Sequence, residues 1–147
     1  EGFGKSSGYT ARQLERWYKT FCDTRPDDIP DMDWAASALR ERLPADEPVS
    51  LVHGDYGNHN VIAAPNVPRI AAILDWEIST IGNPLVDLFH SLRPWMEPLG
   101  RPTLADKDLA ALGIPSMQAL SARYLAATGF TVDDLEFYQG FVMFRYL

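Results

Sequence analysis

Three polar residues of the 147-residue chain have the types and spacing to seat a hard cation beside a proton acceptor: Asp55, Asn60 and Asp75. The first two stand in His53-Gly54-Asp55-Tyr56-Gly57-Asn58-His59-Asn60 and the third in Ile73-Leu74-Asp75-Trp76-Glu77. A carboxylate can orient an attacking hydroxyl and accept its proton. An amide oxygen and a second carboxylate suit Mg²⁺, which keeps several waters and uses few protein ligands. The order D-x-x-x-x-N followed by a strand-borne D-W-E is that of a phosphoryl-transfer site. A single Asp would read as a turn residue bonding nearby backbone groups. Three such residues in this order, all at strand ends, favour chemistry.

The elements that must position them can be read from the hydrophobic pattern. Residues 50–53 form a short strand, residues 60–64 another and residues 69–75 a third. Pro65-Asn66-Val67-Pro68 turns the last two into a hairpin, with Asn60 at one end and Asp75 at the end of its partner. Residues 76–85 read as a loop around Gly82-Asn83-Pro84.

Helices surround this set. Residues 10–24 carry Leu14, Trp17, Tyr18, Phe21 and Cys22 on one stripe, and Thr10 with Gln13 matches a capping box. A turn at residues 25–28 leads to a helix from Pro30 to about Leu43 with Met32, Ala36, Leu39 and Leu43 inward, ended by Pro44. Leu85 begins a helix bearing Leu88, Phe89, Leu92 and Trp95, and residues 96–104 form an irregular crossing. A further helix starts near Ser116 and ends at Gly129, with Met117, Leu120, Tyr124 and Leu125 inward. Thr131 and Asp134 match a second capping box, before a helix with Leu135, Tyr138, Phe141, Val142 and Arg145 in register. The expected fold is α+β and mostly helical, a single domain over residues 1–147 with a small β-hairpin at the site.

Composition narrows the partners. A hydrophobic content of 46% with 22% charged residues is ordinary for a globular protein. The formal charge of −7 argues against nucleic acid or an anionic membrane, both of which reward a basic face. It does not exclude an anionic substrate held through a metal. No apolar run approaches the roughly 20 residues that span a bilayer. One cysteine, Cys22, allows no intrachain disulfide, so a reducing, cytoplasmic setting is expected. Gly4-Lys5-Ser6 lacks the earlier glycine and the strand of a phosphate loop. The Asp27, Asp28, Asp31 and Asp33 group has no calcium-loop spacing and reads as charge at a helix start.

Taken together, residues 53–60, residues 73–77 and Gly82-Asn83-Pro84-Leu85-Val86-Asp87-Leu88 resemble the aminoglycoside/choline phosphotransferase family of kinase-like enzymes. Tyr9-Thr10-Ala11-Arg12-Gln13-Leu14-Glu15-Arg16-Trp17 looks like the branch associated with acyl-CoA dehydrogenases. The resemblance implies the C-terminal lobe of a protein-kinase-like fold, with ATP and Mg²⁺ as cofactors. Asp55 would be the catalytic base, Asn60 and Asp75 the metal and nucleotide ligands, and Asp87 a brace for the catalytic loop. His53 would be a scaffold residue bonded to a carbonyl near Asp75. His59 reads as a loop-surface residue with a substrate contact as the alternative, and His90 as structural. The acceptor would be a small-molecule hydroxyl, a hydroxyacyl-CoA being one candidate. Asn83 stands where many relatives carry Asp, and Gly57-Asn58-His59 is an unusual filling of the loop. The ATP-clamping N-terminal lobe is expected to be absent, so that the 147 residues alone would be inactive.

Two other classes compete. A metallophosphoesterase would share Gly54-Asp55 and Gly57-Asn58-His59, but a two-metal centre wants an upstream D-x-H and more than three histidines. A noncatalytic kinase-like binding module predicts loss of Asp55, Asn60 or Asp75, and all three are present.

Overall fold

The computed structural model describes residues 4, 5, 7–24, 30–96 and 103–146. Helix α1 (Tyr9–Thr24) and α2 (Pro30–Glu41) precede strand β1 (Ser50–Val52). A 3₁₀ turn (Asn58–Asn60) leads into β2 (Val61–Ala63), followed by β3 (Ile70–Ile73) and β4 (Thr80–Gly82). Helix α3 (Pro84–Ser91), a 3₁₀ turn (Arg93–Trp95), α4 (Met117–Thr128) and α5 (Leu135–Phe144) complete the described residues. The turn expected at residues 25–28 and most of the crossing after Met96 lie outside them.

The helical stripes meet in one core. Leu14 of α1, Met32, Ala36 and Leu39 of α2, Leu85, Leu88 and Phe89 of α3, and Phe137, Phe141 and Val142 of α5 are all buried. Ring pairs bind the layers: Phe89 stacks on Tyr138 with centroids 5.5 Å apart, and Trp17 meets Phe141 at 4.8 Å. Leu135 differs from expectation. It is 40% exposed, and Phe137 takes the inward place at the start of α5.

The β structure is two antiparallel pairs. The expected hairpin joins β2 to β3, with Val61 opposite Ile73 and a bulge after Ile62. The segment expected as a loop contains β4, which pairs with β1 so that Ser50, Leu51 and Val52 face Gly82, Ile81 and Thr80. Three residues from a distant pairing leave no periodic trace, which is why the sequence reads there as a loop. Gly82 is required by packing, since a Cβ there would sit 2.5 Å from the Tyr9 ring.

Both capping boxes are replaced by other caps. The Glu47 carboxylate accepts from the Tyr9 and Thr10 N–H groups and the Thr10 hydroxyl, while Gln13 bonds Arg16 instead. A carboxylate at a helix start also complements the macrodipole. At α5 the cap is Asp134 itself, accepting from Phe137 N at 2.9 Å and taking a bidentate pair from Arg42. Ser116 and Gly129 cap α4 as its sequence predicts, the glycine at φ +72°.

Asn83 ties these pieces together. Fully buried, it accepts from Leu85 N at 3.0 Å as the N-cap of α3 and donates to Thr10 Oγ1 at 3.2 Å and Tyr138 Oη at 2.9 Å. One amide thus joins α1, α3 and α5. Asn83→Ala is expected to destabilise the chain by about 2–4 kcal/mol, the sum of a lost cap and stranded buried partners. Urea unfolding checks this, and a loss below about 0.5 kcal/mol would show the network to be slack.

Candidate active site

The loop after β1 is held from both sides. Asp87, on the first turn of α3, accepts the backbone N–H groups of His53 and Gly54, the latter at 2.9 Å. Gly54 takes φ +86°, and a side chain there would press on Ile78 at 3.1 Å. His53 is buried, its Nε2–H donating to Leu74 O at 2.7 Å while Nδ1 accepts from Asp55 N at 3.3 Å. These partners fix the tautomer, and the ring links the loop to the residue before Asp75.

The two ends of the hairpin meet as well. Leu74 N donates to Asn60 O at 2.8 Å, extending the β2–β3 ladder to the site. Asn60 is buried and directs its amide nitrogen at Asp55, 2.9 Å from the carbonyl and 3.3 Å from Oδ2. Its Oδ1 accepts no hydrogen bond among the described residues. Asp75 is exposed, takes φ +64° and forms no hydrogen bond or ion pair among the described residues. Positive φ is uncommon outside glycine, although Asp tolerates it better than most.

This donor set fits Mg²⁺. One amide oxygen and one unpaired carboxylate leave room for waters, as that ion prefers. Among the described residues no group of three or more His, Cys, Asp or Glu side chains gathers for a metal. A multi-histidine two-metal centre therefore has no counterpart in the described residues.

Asp55 is the most heavily contacted acid of the loop. Burial raises its pKa, but the His59 hydrogen bond, with His59 and Arg145 acting through space, outweighs that and holds it below the ordinary carboxylate value. His59 Nε2 lies 3.1 Å from Asp55 Oδ2, so its ring turns inward to the acid rather than standing free on the surface. Contacts across four loop residues depend on backbone curvature, which its i, i+4 spacing only hints at.

His90 sits 3.3 Å from Asp55 Oδ1 yet does not form an ion pair with it. Burial, with Arg145 and Arg93 nearby, pushes its pKa down to about 4. The neutral ring donates from Nδ1 to Tyr56 O at 3.1 Å and accepts at Nε2 from the Tyr146 hydroxyl. Arg145 also joins the site, donating to Gly54 O at 2.6 Å. Nothing in the local sequence points to Arg145 or Tyr146, because 91 residues separate Arg145 from its acceptor.

Two outcomes follow from this geometry. Asp87→Ala leaves two backbone donors unpaired and is expected to cost about 2 kcal/mol in urea unfolding, with Asp87→Asn costing less because one acceptor remains. His59→Gln removes the His59 interaction that lowers the Asp55 pKa, so the Asp55 titration followed by carbon NMR should move to higher pH. An unmoved midpoint would show that His59 leaves the acid untouched.

Comparisons with known proteins bear on the family and the fold. The profile described as "Phosphotransferase enzyme family" matches residues 1–130. A solved structure from Ralstonia eutropha JMP134, provisionally named an aminoglycoside phosphotransferase, superposes with a TM-score of 0.90 at 37% identity, over 97% of this chain and 45% of that one. Aminoglycoside-3′-phosphotransferase of type VIII shares the fold at a TM-score of 0.61 and 22% identity, over 92% of this chain and 49% of that one. The chain is also 34% identical to acyl-CoA dehydrogenase family member 10 of Mus musculus, over 99% of its length and 14% of the relative's. To acyl-CoA dehydrogenase family member 11 of Homo sapiens it is 37% identical, over 88% and 17%. It thus spans less than half of the solved structures and under a fifth of these curated relatives. Its fold is α+β and mostly helical, the C-terminal lobe of a protein-kinase-like fold. By the extent of these matches, the chain belongs to the phosphotransferase enzyme family.

Proposed function

We propose that the chain is the catalytic lobe of an ATP- and Mg²⁺-dependent phosphotransferase that moves the γ-phosphoryl group to a hydroxyl of a small molecule. The observation that carries the reading is the Asp55–Asn60 contact, held in place by the hairpin bond from Leu74 N to Asn60 O. It sets a proton acceptor beside the residue that would hold the metal.

Phosphoryl transfer asks a protein chiefly for positioning and charge. Asp55, ionised at neutral pH, orients the acceptor hydroxyl and takes its proton. Asn60 Oδ1 and the Asp75 carboxylate would hold Mg²⁺, which when bound neutralises charge on the transferring phosphate. His53 and Asp87 fix the backbone from which Asp55 projects. His59 and Arg145, both acting on the Asp55 charge, keep the acid ionised.

The donor's remaining contacts fall to a second lobe, packed over this one. Six large apolar residues of the β region, Leu51, Ile62, Ile70, Leu74, Trp76 and Ile78, are each 43–51% exposed, a surface suited to such a cover. A cytoplasmic location and a hydroxyacyl-CoA acceptor are consistent with this reading. Among the described residues no helix is long and apolar enough to cross a membrane.

Asp55→Asn in the protein that carries both lobes is expected to lower kcat by about 10²–10⁴-fold, the range for loss of a positioned base. ADP release against a panel of alcohols, with circular dichroism as the folding control, measures it. Turnover within threefold of the unsubstituted protein would remove Asp55 from the mechanism.

A further inference from the structure

Beside the catalytic loop lies a cavity of about 460 Å³, in the range of small-ligand sites. Gly54 forms one wall, a single residue from Asp55, and the residues of α1 and β4 form others. Four of the chain's 13 basic residues line it, Lys5, Arg12, Arg16 and Arg145, and no acidic residue does among the described residues. In a chain of net charge −7 this is a marked local reversal of sign.

None of the four pairs with a carboxylate among the described residues. Among the described residues the Arg16 guanidinium bonds only Gln13 of its own helix. Arg12 donates to the carbonyls of Ser7 and Lys5, so it also pins the segment that brings Lys5 to the rim. Arg145 donates to Gly54 O, with its guanidinium 5.8 Å from the Trp17 ring centre. Asp55 and Asp87 act on Arg145 through space, and neither lines the recess. Structural cations usually find a carboxylate on a surface this acidic. Here they converge on a recess walled by Tyr9, Trp17 and Ile78, where a planar guanidinium is suited to a phosphate.

We propose that this recess is the anion subsite of the acceptor, which is an alcohol bearing a phosphate or diphosphate group. The assignment builds on the phosphotransferase reading: the anion lodges between Arg12, Arg16 and Arg145, and its hydroxyl reaches the neighbouring Asp55. Neutral or cationic acceptors would leave four positive charges uncompensated.

Inorganic pyrophosphate is the probe, titrated into the 147-residue chain without Mg²⁺ by isothermal calorimetry. Saturable binding is expected, weakened at least tenfold by Arg16→Glu, less by Arg16→Ala, and unchanged by Asp75→Ala. Arg16 lies on an exposed helix face, and circular dichroism verifies that both variants keep their fold. Absence of saturable binding overturns the proposal, as does binding indifferent to both Arg16 variants. Binding that requires Mg²⁺ and disappears in Asp75→Ala would assign the anion to the nucleotide's phosphates and equally overturn it. Citrate binding more tightly than pyrophosphate would exclude the phosphate class. Because no turnover is measured, these results are separable from failure of the catalytic reading itself.

Discussion

The Asp87 carboxylate is where the helical core takes hold of the loop that carries Asp55. It sits on the first turn of α3, a helix whose apolar face is buried, and accepts two successive backbone N–H groups from His53 and Gly54. Burial raises its pKa, and the two backbone bonds, with His53 and Arg145, only partly counter this. The folded state therefore disfavours ionised Asp87 relative to the unfolded chain. Its contribution to stability is greatest below the ordinary carboxylate pKa and declines as pH rises through the raised value. The loop geometry is maintained against that cost, a common bargain at sites where a fixed backbone matters more than stability.

From this anchor the rest of the site is assembled by backbone bonds rather than by side-chain pairs alone. His53 Nε2 reaches Leu74 O, and Leu74 N reaches Asn60 O, so the loop and the hairpin define each other's position. Asn60 then fixes Asp55 through its amide nitrogen, which leaves the amide oxygen without a partner among the described residues. The acid is surrounded by groups of different charge behaviour. His59 supports the carboxylate directly, whereas His90, kept neutral by burial, presents an acceptor atom already engaged by Tyr146. Two histidines at similar distances from one acid thus do different things, and burial decides which.

Charge is distributed unevenly over the molecule in a way composition conceals. The exposed pairs Arg40–Glu15 and Arg42–Asp134 join helices at the surface, where such pairs contribute at most about 1 kcal/mol. Among the described residues Arg12, Arg16 and Arg145 have no such partner, and they face one recess beside Gly54. A net charge of −7 describes the periphery; the site has its own sign.

The sequence alone pointed to the candidate site residues and laid out much of the framework. Asp55, Asn60 and Asp75 were legible because their order is local to strand ends, and the stripes of α1, α2, α3 and α5 because a packed helix repeats its apolar face every three to four residues. The β2–β3 hairpin was legible from the proline turn between its strands. Only the tertiary structure decided what depended on distant partners. Glu47 caps α1 in place of Gln13, and β4 exists because β1 is there to pair with it. His59 turns towards Asp55, and Arg145 arrives at Gly54 from the far end of α5. Periodicity and spacing record interactions within a segment. A cap, a strand edge or a charge supplied across the fold leaves no such record, because its geometry is set by the packing of the whole core.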